Sequence, residues 1–218
     1  MTYVDILVGE NSRKIGDALK SSVIRKLGKG YVVNLCYAVC SVSHRIDRSI
    51  LITVEFGRNI SDYTIKDYEH TGGYVLNIHR ADPTKYRGAS VLNHQILAGE
   101  DTIEVHAIHV KQNEPLDNRR GVAFVRLNIE GMLYSEVVDE CHTWYAELIK
   151  EAVYTGTDVS AIERTGLLKR RSPEDSQLFL TEEQIKIIKA SDNKLYPAFF
   201  MHGLRRFNLT VTSYKPTD

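Results

Sequence analysis

Thr102-Ile-Glu-Val-His-Ala-Ile-His-Val110 alternates Ile103, Val105 and Ala107 against Glu104, His106 and Ile108. That is the period of a half-buried β-strand, whose successive side chains face opposite sides. Pro115 and Asp117-Asn118 mark a turn after it, and Gly121 to Ile129 resumes extended structure. Upstream, Tyr74 to His79 follows a Gly72-Gly73 turn. Short strands at near-regular spacing predict an antiparallel β-sandwich rather than a parallel α/β sheet.

At Ser135 the period becomes helical. From there to Tyr154, Val137, Val138, Cys141, Trp144, Tyr145, Leu148, Ile149, Ala152 and Val153 form one broad apolar face, opposite Glu136, Asp139, Glu140, Glu147 and Glu151. This long helix, about 135–154, is expected to dock on the sandwich through Val137, Trp144 and Leu148. The chain opens as strand, helix, strand. Tyr3 to Val8 is β-rich, Asn11 or Ser12 caps the helix, and Ile15, Leu19, Val23 and Leu27 form one stripe of about four turns. Gly28-Lys-Gly30 ends it. Tyr31 to Val42 and Ser49 to Phe56 are further β-type runs around the polar turn His44–Arg48. Thr181-Glu-Glu-Gln184 is a capping box that opens a short helix with Ile185 and Ile188 inward, and Phe207, Leu209 and Val211 form a closing strand. The fold class expected is α+β: one domain over 1–218, an antiparallel β-sandwich flanked by helices, with a long surface excursion over 155–194.

With 218 residues, 43% hydrophobic and 26% charged, the composition is that of a globular chain. No run approaches 18 apolar residues and the opening lacks the layout of a signal peptide, which predicts a cytosolic protein with no membrane partner. Twenty-eight basic residues balance 28 acidic ones, which argues against a general nucleic-acid binder and leaves little repulsion between copies.

Among chemistry-bearing residues, His106-x-x-His109 with Glu104 is the one cluster with the look of a metal site. On a strand, positions 106 and 109 face opposite sides, so the expectation is a structural pair and no metal. Cys36 and Cys40 share a face of their strand but stand about 13 Å apart, too far for a disulfide, and read with Cys141 as small apolar residues. Asn59-Ile-Ser61 and Asn208-Leu-Thr210 match the glycosylation pattern, and with no signal-peptide layout at the opening the match is expected to be accidental. Lys169-Arg-Arg171-Ser-Pro173 reads as a solvated loop, and Gly57, Gly72, Gly73 and Gly121 as turn residues. No phosphate loop, dinucleotide fingerprint or nucleophile elbow is present, so no catalytic residue is assigned and the cofactor-binding residues are unknown.

Four collinear segments resemble the polyhedrins of cypoviruses, the crystalline occlusion-body proteins of insect reoviruses. They are Val8-Gly-Glu-Asn-Ser-Arg-Lys-Ile-Gly16, Ile50-Leu-Ile-Thr-Val-Glu-Phe56 with Thr64-Ile-Lys66, Thr102 to Asn113, and Cys141-His-Thr-Trp-Tyr-Ala-Glu-Leu148, followed by Tyr196-Pro197 and the closing strand. The resemblance implies a jelly-roll-like sandwich and a non-enzymatic structural protein. It would form trimers, pack as microcrystals around virions in the host cytoplasm, and dissolve in alkali. No cofactor is implied, although a nucleotide held in the lattice at an unknown site is compatible with the family. The 12 tyrosines fit the alkaline step, since their ionisation adds negative charge near pH of about 10. The alternatives are another viral assembly protein, a matrix or movement protein, and after these a cellular enzyme.

Overall fold

The computed structural model describes residues 1–9, 12–39, 45–56, 59–113, 121–156, 168, 171, 181–190, 199–202 and 205–209. The chain divides into two compact units, Met1–Arg170 and Arg171–Asp218.

The first unit is built on one six-stranded sheet: β1 (Thr2–Val8), β2 (Tyr31–Cys36), β3 (Ser49–Val54), β4 (Tyr74–His79), β5 (Thr102–Val110) and β6 (Gly121–Asn128), in the order β2-β1-β3-β4-β5-β6. Strands β2, β1, β3 and β4 run parallel, and β5 and β6 add antiparallel steps at one edge. Helices α1 (Arg13–Leu27), α2 (Asp62–His70), α3 (Val91–Leu97) and α4 (Tyr134–Thr155) complete the unit.

This corrects the expected antiparallel sandwich: the fold is α/β with a mixed sheet. The reason lies in β3 and β4, where all six residues of each strand are buried. A strand covered on both faces reads as a continuous apolar run, the mark of a parallel sheet under helices. The alternation that pointed to a sandwich belongs to the antiparallel edge, most clearly to β6, where burial varies from residue to residue.

Each face of the sheet has its own core. Val4, Ile6, Val8, Ile50, Ile52, Val54, Leu76 and Ile78 pack against Leu19, Val23 and Leu27 of α1 and against Val137, Cys141, Tyr145, Leu148 and Ile149 of α4. On the opposite face Leu7, Leu51 and Val75 meet Ile65 and Tyr68 of α2. Of the stripe predicted for α1, Leu19, Val23 and Leu27 are buried and Ile15 partly so, and Gly28 closes that helix at φ 74° by donating its N–H to Ile24 O. Helix α4 also forms as expected, but one of its docking residues was misassigned. Trp144 is 40% exposed and donates its indole N–H to Glu140 Oε1 at 3.0 Å, while its neighbour Tyr145 is fully buried.

Two glycines permit close backbone approach. A Cβ on Gly73, where α2 returns to the sheet, would lie 1.7 Å from Ser49 O, and one on Gly9, just after β1, 2.1 Å from Glu55 O. The α2 face also carries a buried charge. Asp5 accepts hydrogen bonds from Asn34 Nδ2 (2.7 Å), Arg45 Nη1 (2.6 Å) and the Tyr68 hydroxyl (2.8 Å). Burial, with Asp5 beside it, pushes the Tyr68 hydroxyl well above its ordinary pKa.

In the second unit, α5 (Glu182–Ala190) opens with the predicted capping box. The Thr181 N–H donates to Gln184 Oε1 (2.8 Å), and the Gln184 N–H to Thr181 Oγ1 (3.2 Å). β7 (Phe199–His202) and β8 (Arg205–Asn208) form an antiparallel pair, so the expected closing strand has a partner that the sequence reading missed. Val211 lies outside the described residues.

Candidate functional site

In open α/β sheets, ligands bind beyond the carboxyl ends of the strands, where the strand order reverses. From β1 the chain moves to one side to form β2, then returns to the other side of β1 to form β3. The reversal therefore lies between the carboxyl ends of β1 and β3, at Gly9 and Glu55.

Glu55 is the centre of this region. Strand alternation would turn its side chain to the α2 face, with Leu51 and Thr53. A φ of 52°, in the left-handed region, turns it instead toward α1 and α4. There Oε1 accepts from the Tyr145 hydroxyl (2.9 Å), contacts His142 Nε2 (3.0 Å) and pairs with Arg80 Nη1 (3.2 Å), while Oε2 accepts from the Ser12 hydroxyl. A non-glycine residue held in this conformation costs roughly 1–3 kcal/mol and persists where its surroundings impose it. Burial alone would raise the Glu55 pKa. The hydrogen bond from His142, the Arg80 charge and the hydroxyls of Ser12 and Tyr145 outweigh it and bring the carboxyl down to about 2. Glu55 is thus ionised at neutral pH, with both oxygens engaged. Cys141 on the same helix face is the reverse case, its thiol pushed up to about 12 chiefly by burial, which makes it inert.

A cavity of about 490 Å³ opens beside this carboxylate. Its wall includes Ser12, Lys14 and Ile15 at the start of α1, Glu55 and Arg80 after β3 and β4, and Tyr134, Val138, Asp139 and His142 of α4.

The end of β4 carries the second polar feature. Asn77 and His79, both buried, stand two residues apart and share the α2 face of a strand otherwise made of Tyr, Val, Leu and Ile. The Thr53 hydroxyl donates to Asn77 Oδ1 at 2.8 Å, which leaves Nδ2 as the donor end of the amide. His79 Nε2 lies 2.9 Å from Tyr86 O. A carbonyl only accepts, so Nε2 carries the proton and, in the neutral ring, Nδ1 holds the lone pair. The loop that supplies Tyr86 is pinned on both sides. Asp82 Oδ1 accepts from the Thr84 N–H and hydroxyl, and Gly88 bridges to Leu168. Val54 is level with Ile78 in the parallel register, so Glu55 and His79 are the next residues of adjacent strands.

The residues singled out in sequence lie mostly elsewhere. His106 and His109 face opposite sides of β5, as expected: His109 packs edge-on against Tyr74, and His106 stacks on Phe124. Glu104 accepts from His106 Nε2 at 2.9 Å, and Asp82 joins them, the three donor atoms lying within 4.8 Å of one another. Arg126 already holds the other Glu104 oxygen at 2.5 Å and helps to lower its pKa against the effect of burial. Ser61, read as part of a glycosylation match, is the N-cap of α2 and accepts from the Thr64 N–H. Gly121, read as a turn residue, is the first residue of β6, where a Cβ would meet His106 Nδ1 at 2.3 Å. Cys36 is half-buried, while Cys40, Gly57, Asp117-Asn118, Lys169-Arg170, Ser172-Pro173 and Thr210 lie outside the described residues. Sequence reasoning missed Asn77, His79, Glu55, Arg80 and His142. The available signal was the pair of polar residues closing an apolar strand.

No family model matches the chain, and no curated protein matches it in sequence. Solved structures match it in fold. Methionyl-tRNA formyltransferase from Clostridium thermocellum aligns with a TM-score of 0.66 at 16% identity, over 99% of this chain and 94% of that one. HypX from Aquifex aeolicus, in complex with tetrahydrofolic acid, aligns with a TM-score of 0.59 at 16% identity, over 78% of this chain and 30% of that one. An N-formyltransferase from Helicobacter canadensis, in complex with folinic acid and dTDP-3-aminofucose, aligns with a TM-score of 0.52 at 14% identity, over 81% of this chain and 73% of that one.

At these identities the match establishes a shared fold. It overturns the resemblance to cypovirus polyhedrins, whose four segments are short runs of common residue types. The expectation of a non-enzymatic occlusion-body protein housed in cytoplasmic polyhedra rested on that resemblance and is corrected with it. Methionyl-tRNA formyltransferase and the N-formyltransferase are enzymes by name, and what they share with this chain is the fold.

Proposed function

We propose that the chain is a formyltransferase, moving a one-carbon formyl group from a folate-type donor to an amine at the carboxyl edge of its parallel strands. The donor class is suggested by the tetrahydrofolic acid and folinic acid present in two of the matched structures. The observation that carries the reading is the buried pair Asn77 and His79 at the end of β4.

These residues fit a formyl donor. A carbonyl under attack by an amine gathers negative charge on oxygen and must lose a proton from nitrogen. An amide N–H and a neutral imidazole meet those two needs. The folate donor supplies the formyl group when bound. Asn77, oriented by Thr53, places Nδ2 to stabilise the developing oxyanion, a contribution of about 10²–10³ in rate for one such donor. His79, its ring fixed by the hydrogen bond from Nε2 to Tyr86 O, is placed at the strand end to relay the proton shed by the attacking nitrogen. The cavity beside Glu55 opens on the α1 and α4 side of the same edge and suits the acceptor.

Thermal unfolding with and without folinic acid tests the donor assignment. A ligand that binds the native state raises the unfolding midpoint by mass action. A midpoint that does not move at saturating folinic acid would overturn it.

A further inference from the structure

An acceptor amine arrives at neutral pH as an ammonium ion and cannot attack until it loses a proton. His79, on the α2 face, is assigned to the proton shed during attack, so this earlier proton needs a second base on the acceptor side. Among the described residues, the wall of the switch-point cavity holds one histidine, His142, and its environment is built. Its Nε2 lies 3.0 Å from Glu55 Oε1. Its ring meets Tyr145 at 65° with centroids 5.4 Å apart, one turn along the same helix. Its Nδ1 lies on the side of Asp139 Oδ1, 4.0 Å away, on an 84% exposed carboxylate that also lines the cavity.

We propose that His142 accepts the ammonium proton of the acceptor amine in this cavity, and that Glu55 is its positioning residue, fixing the ring proton on Nε2 so that Nδ1 is the basic nitrogen. The acceptor's identity as an amine rests on the formyl-transfer reading; the tautomer does not. An ionised carboxylate can only accept, so a nitrogen 3.0 Å from Glu55 must carry a proton. In the neutral ring Nδ1 then holds the lone pair. The left-handed φ of Glu55 gains a purpose here, because a regular strand end would aim the carboxylate at the opposite face. Among the described residues, the titratable and charged groups around the ring are Lys14 from α1, Glu55 and Arg80 from the strand ends, and Tyr134, Asp139 and Tyr145 from α4.

The proton balance closes. The ammonium N–H bond breaks and its proton passes to His142 Nδ1, which frees the nitrogen lone pair. That pair forms the new C–N bond at the formyl carbon as the donor's C–N bond breaks. A second proton leaves the attacking nitrogen and returns to the departing donor nitrogen by way of His79. His142 then releases its proton to water at the cavity mouth.

The test pairs a rate comparison with a tautomer measurement on the full chain. Transfer from 10-formyltetrahydrofolate is measured to methylamine, mostly ammonium at neutral pH, and to hydroxylamine, mostly free base. His142→Gln is expected to slow transfer to methylamine by at least about 10²-fold and transfer to hydroxylamine by less than about 10-fold. Equal losses for both amines mean a structural role and overturn the assignment. Nitrogen-15 NMR of the histidine rings is expected to show His142 as the Nε2–H tautomer in the wild type and in Glu55→Gln, with Nδ1–H appearing in Glu55→Ala. An Nδ1–H tautomer in the wild type, or no change in Glu55→Ala, overturns the role of Glu55. If the wild type transfers to neither amine, the formyl-transfer reading has failed and the catalytic role of His142 falls with it, while the NMR result still decides whether Glu55 sets the tautomer.

Discussion

The Tyr145 hydroxyl donates a 2.9 Å hydrogen bond to Glu55 Oε1 across 90 residues of sequence, tying the long helix α4 to the end of the central strand β3. Tyr145 is fully buried and burial pushes its hydroxyl well above the ordinary tyrosine pKa, so it stays a donor throughout the accessible pH range. Tyr145→Phe keeps the ring and removes the donor to a charged acceptor. It is expected to lower unfolding free energy by about 1.5–3 kcal/mol in urea titrations. A change within about 0.3 kcal/mol would show that the bond is not formed in solution.

The same carboxylate sets an acid limit. Glu55 is brought down to about 2 from an unperturbed 4.5, so its native form binds protons less readily than the unfolded chain. Its stabilisation, on the order of 3 kcal/mol, is complete above the unfolded value and is lost as pH falls through the window between them. Glu55→Gln is expected to flatten the fall in stability between pH of about 5 and about 2. Parallel wild-type and variant curves would contradict this.

Helix α4 offers a contrast between neighbouring positions. Leu148 is 3% exposed and faces the core, whereas Trp144 is 40% exposed, its indole N–H bonded to Glu140 on the same helix. Leu148→Ala should cost about 2–5 kcal/mol, and Trp144→Ala about 1 kcal/mol or less despite its larger side chain. The reverse order by chemical denaturation would mean that the helix is rotated from the position described.

Gly9 is required by space. A Cβ there would lie 2.1 Å from Glu55 O, and its own N–H donates to Val54 O at 3.0 Å. Gly9→Ala must push β1 and β3 apart at the reversal point. The expected result is a loss of at least about 2 kcal/mol. An alanine variant of full stability would show that the strand ends are looser than described.

Much of the local structure was legible. The stripe Leu19, Val23 and Leu27, the glycine stop at Gly28 and the capping box at Thr181 declare themselves because each rests on neighbours three or four residues apart. The architecture was misread because Ser49–Val54 and Tyr74–His79 say only that they are buried on both faces, and the alternation in the antiparallel edge was given more weight. Helix α2 escaped notice because its apolar contribution reduces to Ile65 and Tyr68, although Ser61 was a visible cap. The site was harder still. Glu55 and His142 are 87 residues apart, and the backbone turn that joins them comes from a φ that no residue type announces. Asn77 and His79 were within reach, since two polar side chains closing a buried strand require a reason.

The central claim is formyl transfer at the end of β4, and its most direct measurement is the release of tetrahydrofolate from 10-formyltetrahydrofolate with hydroxylamine as acceptor, comparing the wild type with Asn77→Ala. The account predicts turnover by the wild type above the uncatalysed rate and a loss of about 10²–10³ in the variant, with its fold intact by circular dichroism. A wild type that releases no tetrahydrofolate above background, or an Asn77→Ala variant as fast as the wild type, would contradict it.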